Sequence, residues 1–407
     1  MKSRPLYKKV WQDLAAEKAM VFLAGPRQSG KTTLAQLISE EFANRLYVNW
    51  DIPEDRALLL QNPFFFREME RRDSSVPLVV FDEIHKYKDW KNYLKGVYDR
   101  FYREFKFLVS GSGRLDIYQK GGDSLAGRYY LFHLWPFTLA ELAGPPHDFD
   151  RFLKRPLEIQ IEKEPARQEI WETLERFSGF PEPYLSGRDA SYRRWSNAYS
   201  QQLIREDIRD LTHIQAIGGL ETLYYLLPSK VGSPISIPSL SNALKLSYNT
   251  VHGWLSTFER FFLIFSIPSW TQRISRAIQK ERKIYLWDIP RIKDPAARFE
   301  NMVALELLRA VRSWNEWGWG NFDLHYLRNK EKKEVDFLIT NDRDPILLIE
   351  AKLSDTVLSS SLLEFQAILK VPAVQLVHTP STIRRVIKDV NGKIGVFSAS
   401  TWLATLP

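Results

Sequence analysis

The sequence predicts an α/β fold built from several modules, and three observations carry that prediction. A short apolar strand at residues 20–24 runs into a glycine-bearing loop and then into an amphipathic helix at 33–38. Two further runs, the continuously apolar 77–81 and the mostly apolar 105–109, read as buried strands, as in a parallel sheet. Far downstream, 334–339 opens with the apolar/polar alternation of a half-buried strand, and 346–352 is a further strand of the same region. With 407 residues, the chain has room for two to four domains at about 100–200 residues each.

The loop is Gly25-Pro26-Arg27-Gln28-Ser29-Gly30-Lys31-Thr32, which fits G-x-x-x-x-G-K-[ST] in the strand–loop–helix context that the pattern needs. Such a loop works by aiming backbone N–H groups at phosphate from a helix N-terminus. Gly25 and Gly30 permit the tight path and the close approach of backbone to ligand. Lys31 is placed to reach the β- and γ-phosphates and the Thr32 hydroxyl to ligate Mg²⁺; the nucleotide-contacting stretch runs on to Thr33. The strand at 77–81 ends in Asp82-Glu83, a Walker B arrangement: Asp82 for the Mg²⁺ shell, Glu83 to polarise the attacking water. ATP with Mg²⁺ is the expected ligand.

A second strand is expected at 45–50, and the run 105–109 ends in Ser110-Gly111-Ser112-Gly113. In P-loop hydrolases this last strand lies between the phosphate-loop strand and the Walker B strand. Ser110 or Ser112 at its end would touch the γ-phosphate or the water, or either is a solvated turn residue; Ser112 is counted with the nucleotide-binding set. Arg128 closes Ser124-Leu125-Ala126-Gly127-Arg128, ahead of a strand at 129–134. It is a catalytic candidate as an arginine finger across a subunit contact, and it reads equally as a surface arginine.

Together, the phosphate loop, Val80-Phe81-Asp82-Glu83-Ile84-His85, the Gly111-Ser112 turn and Leu125-Ala126-Gly127-Arg128 resemble the AAA-type (AAA_14) ATPases that carry a C-terminal DUF4143 region. Ser178-Gly179-Phe180-Pro181-Glu182-Pro183 resembles that family's Gly-x-Pro-Glu segment, and Leu203-Ile204-Arg205-Glu206-Asp207-Ile208 the helix after it. The resemblance covers essentially the whole chain. It implies an AAA+/ASCE P-loop NTPase domain with a parallel sheet, a helical and winged-helix middle region, and a C-terminal α/β domain of restriction-endonuclease-like fold.

Turn-rich Gly144-Pro145-Pro146 and the Ser/Gly/Pro-dense stretch 228–238 set the expected boundaries: ATPase domain 1–143, helical lid 144–227, winged helix 228–270, nuclease-like domain 271–407. Within the third, a short helix at 239–244, a turn with Ser247 as N-cap, a helix at 248–260 and a strand at 261–267 make a winged helix-turn-helix pattern. Its second helix would present Tyr248, Asn249, Thr250 and His252 to a DNA major groove, or the module serves protein contact, since it carries little basic charge.

In the last domain, 298–312 is an amphipathic helix beginning near Glu300, and period-two alternation puts Glu350 and Lys352 on one strand face. Asp336, Glu350 and Lys352 match the Asp…Glu-x-Lys pattern of the PD-(D/E)xK nuclease fold, which DUF4143 regions resemble. Asp336 and Glu350 would hold Mg²⁺ with Glu300 completing the shell, and Lys352 would position water. A helix at 360–370 with Gln366 pointing inward suits the next element. Such a domain either cuts DNA or keeps the fold for binding alone. The basic loop Arg328, Lys330, Lys332, Lys333 either tracks a phosphate backbone or is a solvated charge run.

A net charge of +8 suits an anionic partner, and DNA is the expected one. The absence of cysteine excludes disulfides, thiolate zinc sites and cysteine nucleophiles. No segment approaches the ~20 apolar residues of a membrane span, and residues 1–11 lack the apolar run of a signal peptide, so a cytoplasmic protein with no membrane partner is expected. A subunit-crossing arginine would require a homo-oligomer such as a ring. Two readings result: an ATP-driven motor or remodelling factor acting on DNA, with or without Mg²⁺-dependent cleavage, and an ATP-dependent signalling or defence switch whose nuclease-like domain binds a partner protein and cuts nothing.

Overall fold

The computed structural model describes residues 4–111, 125–144, 148–158, 164–209, 216–271, 281–354, 357–378, 384–389 and 392–407. The chain divides into two compact units, Met1–Pro136 and Phe137–Pro407. In the first, strands β1 (Met20–Ala24), β2 (Arg45–Asn49), β3 (Leu78–Asp82), β4 (Lys106–Ser110) and β5 (Tyr129–His133) form one parallel sheet in the order β2-β3-β4-β1-β5. β4 lies between the loop strand and the acidic strand, as the P-loop topology requires. β1 and β3 are buried along their whole length, which accounts for their continuous apolar runs.

The first unit also holds helices α1 (Pro5–Glu17), α2 (Lys31–Ser39), α3 (Pro53–Gln61) and α4 (Trp90–Phe101). α4 buries Trp90, Leu94, Val97 and Phe101, spaced to line one helical stripe. That stripe meets Phe22, Phe81 and Phe107 from one face of the sheet. At its centre Phe66, fully buried, makes edge-on contacts with Phe81, Phe101, Phe105 and Phe107 at centroid distances of 6.4, 5.2, 5.2 and 5.9 Å.

The second unit begins with helices α5 (Leu139–Ala143), α6 (Phe149–Lys154), α7 (Glu164–Phe177), α8 (Pro181–Ser186), α9 (Asp189–Gln202) and α10 (Ile217–Leu226); the segment Leu203–Ile208 continues α9 as a π-helix. Next come α11 (Ile237–Leu244) and α12 (Tyr248–Arg260). Lys245 turns the chain in the left-handed region, and the Ser247 hydroxyl accepts from Thr250 N–H as the N-cap. Strand β6 (Ile264–Pro268) starts three residues later than the sequence suggests. The delay is a helix-ending turn: Phe262 has φ +56°, Leu263 N–H bonds Phe258 carbonyl at 3.0 Å, and Phe262 N–H bonds Glu259 carbonyl at 3.2 Å. β6 pairs antiparallel with β7 (Arg282–Leu286).

The rest of the unit is built on a mixed sheet in the order β12-β13-β11-β10-β9-β8, from β8 (Phe322–Arg328), β9 (Glu334–Asn341), β10 (Asp344–Lys352), β11 (Ala373–Val377), β12 (Arg384–Asp389) and β13 (Gly392–Ser398). The long helix α13 (Pro295–Glu316) packs on β8, β9 and β10. α14 (Ser360–Leu369) makes the crossover between the parallel strands β10 and β11, with Gln366 fully buried. A final helix, α15 (Ala399–Leu403), packs on β13. Among the described residues, no helix is long and apolar enough to cross a membrane.

Candidate functional site

The strand order decides where the first site forms. Parallel strands bring their carboxyl ends to one edge, so Ala24, Asp82 and Ser110 finish side by side. The loop after β1 turns in three left-handed steps, at Gly25 (φ +134°), Gln28 (φ +60°) and Gly30 (φ +96°), before Lys31 opens α2. A Cβ on Gly25 would stand 2.4 Å from the Leu134 carbonyl oxygen, so only glycine fits there. The Lys31 ammonium folds back into the loop and donates to the Gly25 and Pro26 carbonyls at 3.1 and 2.6 Å. Arg4, ahead of α1, donates to the Ser29 carbonyl at 3.3 Å and braces the loop from behind.

Asp82 is buried and accepts three hydroxyls. Thr32 Oγ1 donates to its Oδ2 at 2.9 Å, Tyr47 OH to the same oxygen at 2.7 Å, and Ser110 Oγ to its Oδ1 at 2.5 Å. Tyr47 escaped the sequence reading. It lies on β2 two residues before the strand end, and only the pairing of β2 with β3 reveals that it faces Asp82. Ser110 thus orients the carboxylate from the neighbouring strand. Ser112 lies outside the described residues.

Glu83 leaves the strand in a left-handed conformation (φ +56°), with its N–H held by the Ser110 carbonyl at 2.9 Å. Its carboxylate stands 3.4 Å from Lys86 Nζ and 3.6 Å from His85 Nε2. Burial pushes its pKa above the ordinary glutamate range, against the pull of Lys86 and Lys31. A raised pKa suits a group that must take a proton.

Arg128 lies away from the phosphate loop of its own chain. It precedes β5, whose register pairs Tyr129 with Met20, so it sits at the amino ends of the strands while the loop sits at the carboxyl ends. A five-residue strand spans about 16 Å, which keeps Arg128 away from its own phosphate loop. Its guanidinium is gripped by Asp99 of α4 at 2.6 and 3.0 Å. Only a role on another subunit remains open to it.

The loop residues fit a magnesium nucleotide. Gly25 opens the backbone where a side chain could not go, α2 presents its N-terminus, and Thr32 and Asp82 bring two oxygen ligands together. Pro26, Arg27 and Ser29 lie in the same loop, and Thr33 in the first turn of α2. On α12, Tyr248, Asn249 and His252 are exposed, the Tyr248 and His252 rings are stacked at 6.1 Å, and Thr250 is held by Ser247. A groove of about 660 Å³ runs between that helix start and Arg282 of β7.

In the second unit, Asp336 and Glu350 face each other across β9 and β10: the Asp336 N–H points at Glu350 Oε2 at 3.4 Å. Lys352 Nζ is 2.7 Å from Glu350 Oε1. Glu300 joins them from α13, through a residue that sequence reasoning missed. Lys283 of β7 is buried, and its ammonium lies 2.6 Å from Glu334, 3.0 Å from Glu300 and 3.4 Å from Asp336. Tyr285, on the same face of β7, donates to Glu300 at 2.8 Å. Burial and the nearby Asp336 carboxylate push Glu300 and Glu350 each up to about 7. Burial alone would lower Lys283, but the three carboxylates override it and hold it above the ordinary lysine range.

This cluster does not fit the Mg²⁺ site expected for Glu300, Asp336 and Glu350. An ion on these oxygens would stand about 4–5 Å from the Lys283 ammonium; at about 4 Å two unit charges repel by about 4 kcal/mol in a partly solvated site, and a divalent ion doubles that. Among the described residues, no group of three acidic or histidine side chains is arranged to hold a metal.

The strand order and the loop define the first unit as a P-loop nucleotide-binding fold. Residues 17–143 match the AAA domain family AAA_14, residues 168–289 a domain of unknown function, DUF8612, and residues 296–395 another, DUF4143. The chain therefore joins an AAA-type ATPase domain to a DUF4143 domain. Ser178–Pro183 and Leu203–Ile208 fall within the DUF8612 match. An uncharacterized protein of Mycobacterium tuberculosis, Rv2008c, and one of Mycobacterium bovis, Mb2031c, are each 22% identical over 335 residues, covering 79% of this chain and 67% of theirs. Among solved structures, the Walker-type ATPase PABY2304 of Pyrococcus abyssi is similar with a TM-score of 0.44 and 16% identity, over 72% of this chain and 95% of that one. The Aeropyrum pernix ORC1 protein in complex with DNA follows with a TM-score of 0.35 and 14% identity, over 75% and 93%.

Proposed function

We propose that the AAA domain binds ATP with Mg²⁺ and hydrolyses it, and that the chain acts on DNA. The observation that carries the first part is the 2.9 Å contact between Thr32 and Asp82, the two candidate metal ligands, beside the Lys31 loop. The N–H groups at the start of α2 bind phosphate, and Lys31 exchanges its two carbonyl partners for phosphate oxygens. Thr32 and Asp82 hold Mg²⁺, which when bound neutralises charge on the transferring phosphoryl group. Ser110 and Tyr47 keep the Asp82 carboxylate oriented. Glu83 takes the proton of the attacking water. Nucleotide binding by a fluorescent ATP analogue tests this: Lys31→Ala should lose it, whereas Glu83→Gln should bind and turn over at least about 100-fold more slowly. A Glu83→Gln protein hydrolysing at the wild-type rate removes Glu83 from the mechanism.

The exposed Tyr248, Asn249 and His252 and the net charge of +8 support DNA binding, largely through phosphate. Affinity should fall steeply with salt, because binding releases cations condensed on DNA. No binding at low salt, with or without nucleotide, sinks the DNA reading. We read the second unit as a helical lid (144–227), a winged helix (228–270) and a nuclease-like domain (271–407), acting in the cytoplasm as part of a homo-oligomer. If Arg128 serves a neighbouring subunit, mixing Arg128→Ala with Lys31→Ala protein restores ATPase activity; no recovery, with Arg128→Ala alone fully active, removes it.

The second reading, an ATP-dependent switch whose C-terminal domain binds a partner protein without cutting, gains support from Lys283 among the carboxylates. ATPase stimulation by DNA favours the motor or remodelling factor, and indifference to DNA favours the switch.

A further inference from the structure

We infer that the acidic cluster of the C-terminal domain carries its own cation: the Lys283 ammonium stands where a divalent metal would, and the cluster takes up no Mg²⁺ or Mn²⁺ while Lys283 is present. An ammonium has three donors, and here each has a carboxylate: Glu334 Oε1 at 2.6 Å, Glu300 Oε1 at 3.0 Å and Asp336 Oδ1 at 3.4 Å. The side chain is 1% exposed, so this is a built interior site.

Several of the other carboxylate oxygens have partners as well. Asp336 Oδ2 accepts from Ala351 N–H at 2.9 Å, Glu350 Oε1 takes Lys352 at 2.7 Å, and Glu350 Oε2 faces the Asp336 N–H. Glu300 Oε1 also accepts from Tyr285, and its Oε2 lies so near Gly232 that a Cβ there would be 2.9 Å away. A metal would have to displace the ammonium, and β7, which bears Lys283, is held in place by its pairing with β6 and its packing on α13. The ammonium also ties three elements together, β7, α13 and β9, so it performs the cross-linking that a metal performs in a metal-holding site.

Mn²⁺ binding to the full chain without nucleotide, read by electron paramagnetic resonance, tests the inference. At about 1 mM Mn²⁺, the wild type and Asp336→Asn should bind the same amount of Mn²⁺, and the difference in melting between Mn²⁺ and EDTA should be the same in both. Lys283→Ala should gain a Mn²⁺ site about tenfold or more tighter than any in the wild type, and the double variant with Asp336→Asn should lose it. A wild-type Mn²⁺ site that disappears in Asp336→Asn overturns the inference, and so does a folded Lys283→Ala protein that takes up no Mn²⁺. If Lys283→Ala does not fold, the wild-type and Asp336→Asn comparison still decides.

Discussion

The Tyr47 hydroxyl donates to Asp82 Oδ2 at 2.7 Å, the same oxygen that Thr32 contacts at 2.9 Å. A half-buried tyrosine from the neighbouring strand therefore helps set the angle at which Asp82 faces the loop. Tyr47→Phe keeps the ring and removes only this hydrogen bond. The Mg²⁺ concentration for half-maximal ATPase activity should rise about tenfold, the usual size of a lost orienting contact behind a metal ligand, with fold and expression intact. An unchanged Mg²⁺ titration would show that Ser110 and Thr32 suffice.

Glu83 is raised by burial, so its acid limb in an ATPase pH profile should lie above the range of an exposed glutamate. The rate falls as pH drops through that value, because a protonated carboxyl cannot accept the proton of water. In Glu83→Gln the limb should vanish along with roughly 100-fold or more of the rate. A limb that persists in the variant belongs to another group.

Gly25→Ala tests the backbone. The added Cβ would meet the Leu134 carbonyl oxygen at 2.4 Å, and φ +134° is strained for any L side chain. Destabilisation on the order of 2–4 kcal/mol is expected, read by denaturant titration, with nucleotide binding lost. A stable, binding-competent variant would mean that the loop takes another path.

Glu175 of α7 accepts from His378 at 2.7 Å and from Arg298 at 3.0 Å. The hydrogen bond to Glu175 raises His378, while burial raises Glu175 but His378 and Arg298 together hold it below the ordinary range. The histidine's contribution is full below its unfolded value and disappears as pH rises through its higher folded value. The glutamate's contribution is full above its unfolded value and disappears as pH falls. Together they stabilise most between about pH 4.5 and 6.5. His378→Gln keeps a hydrogen-bond donor that does not titrate, so the loss of about 1–2 kcal/mol on going from pH 6 to 8 should be flattened. An equal decline in the variant assigns it to other groups.

The sequence by itself determined whatever local chemistry determines. The phosphate loop, its flanking strand and helix, and the acids ending β3 are contiguous, and glycine spacing or an apolar run encodes each of them. The Ser247 cap and α12 were legible for the same reason, and so was the shared face of Glu350 and Lys352, which follows from strand period. Residues that act from a distance were decided only by the tertiary structure. Tyr47 faces Asp82 because β2 pairs with β3, and Arg128 stands opposite the loop because β5 runs parallel to β1. Lys283, 53 residues before Asp336, enters the carboxylate cluster because β7 packs on α13 beside β9. Strand order and helix packing arise from long-range burial, and no local pattern in the chain records which buried charge will meet which.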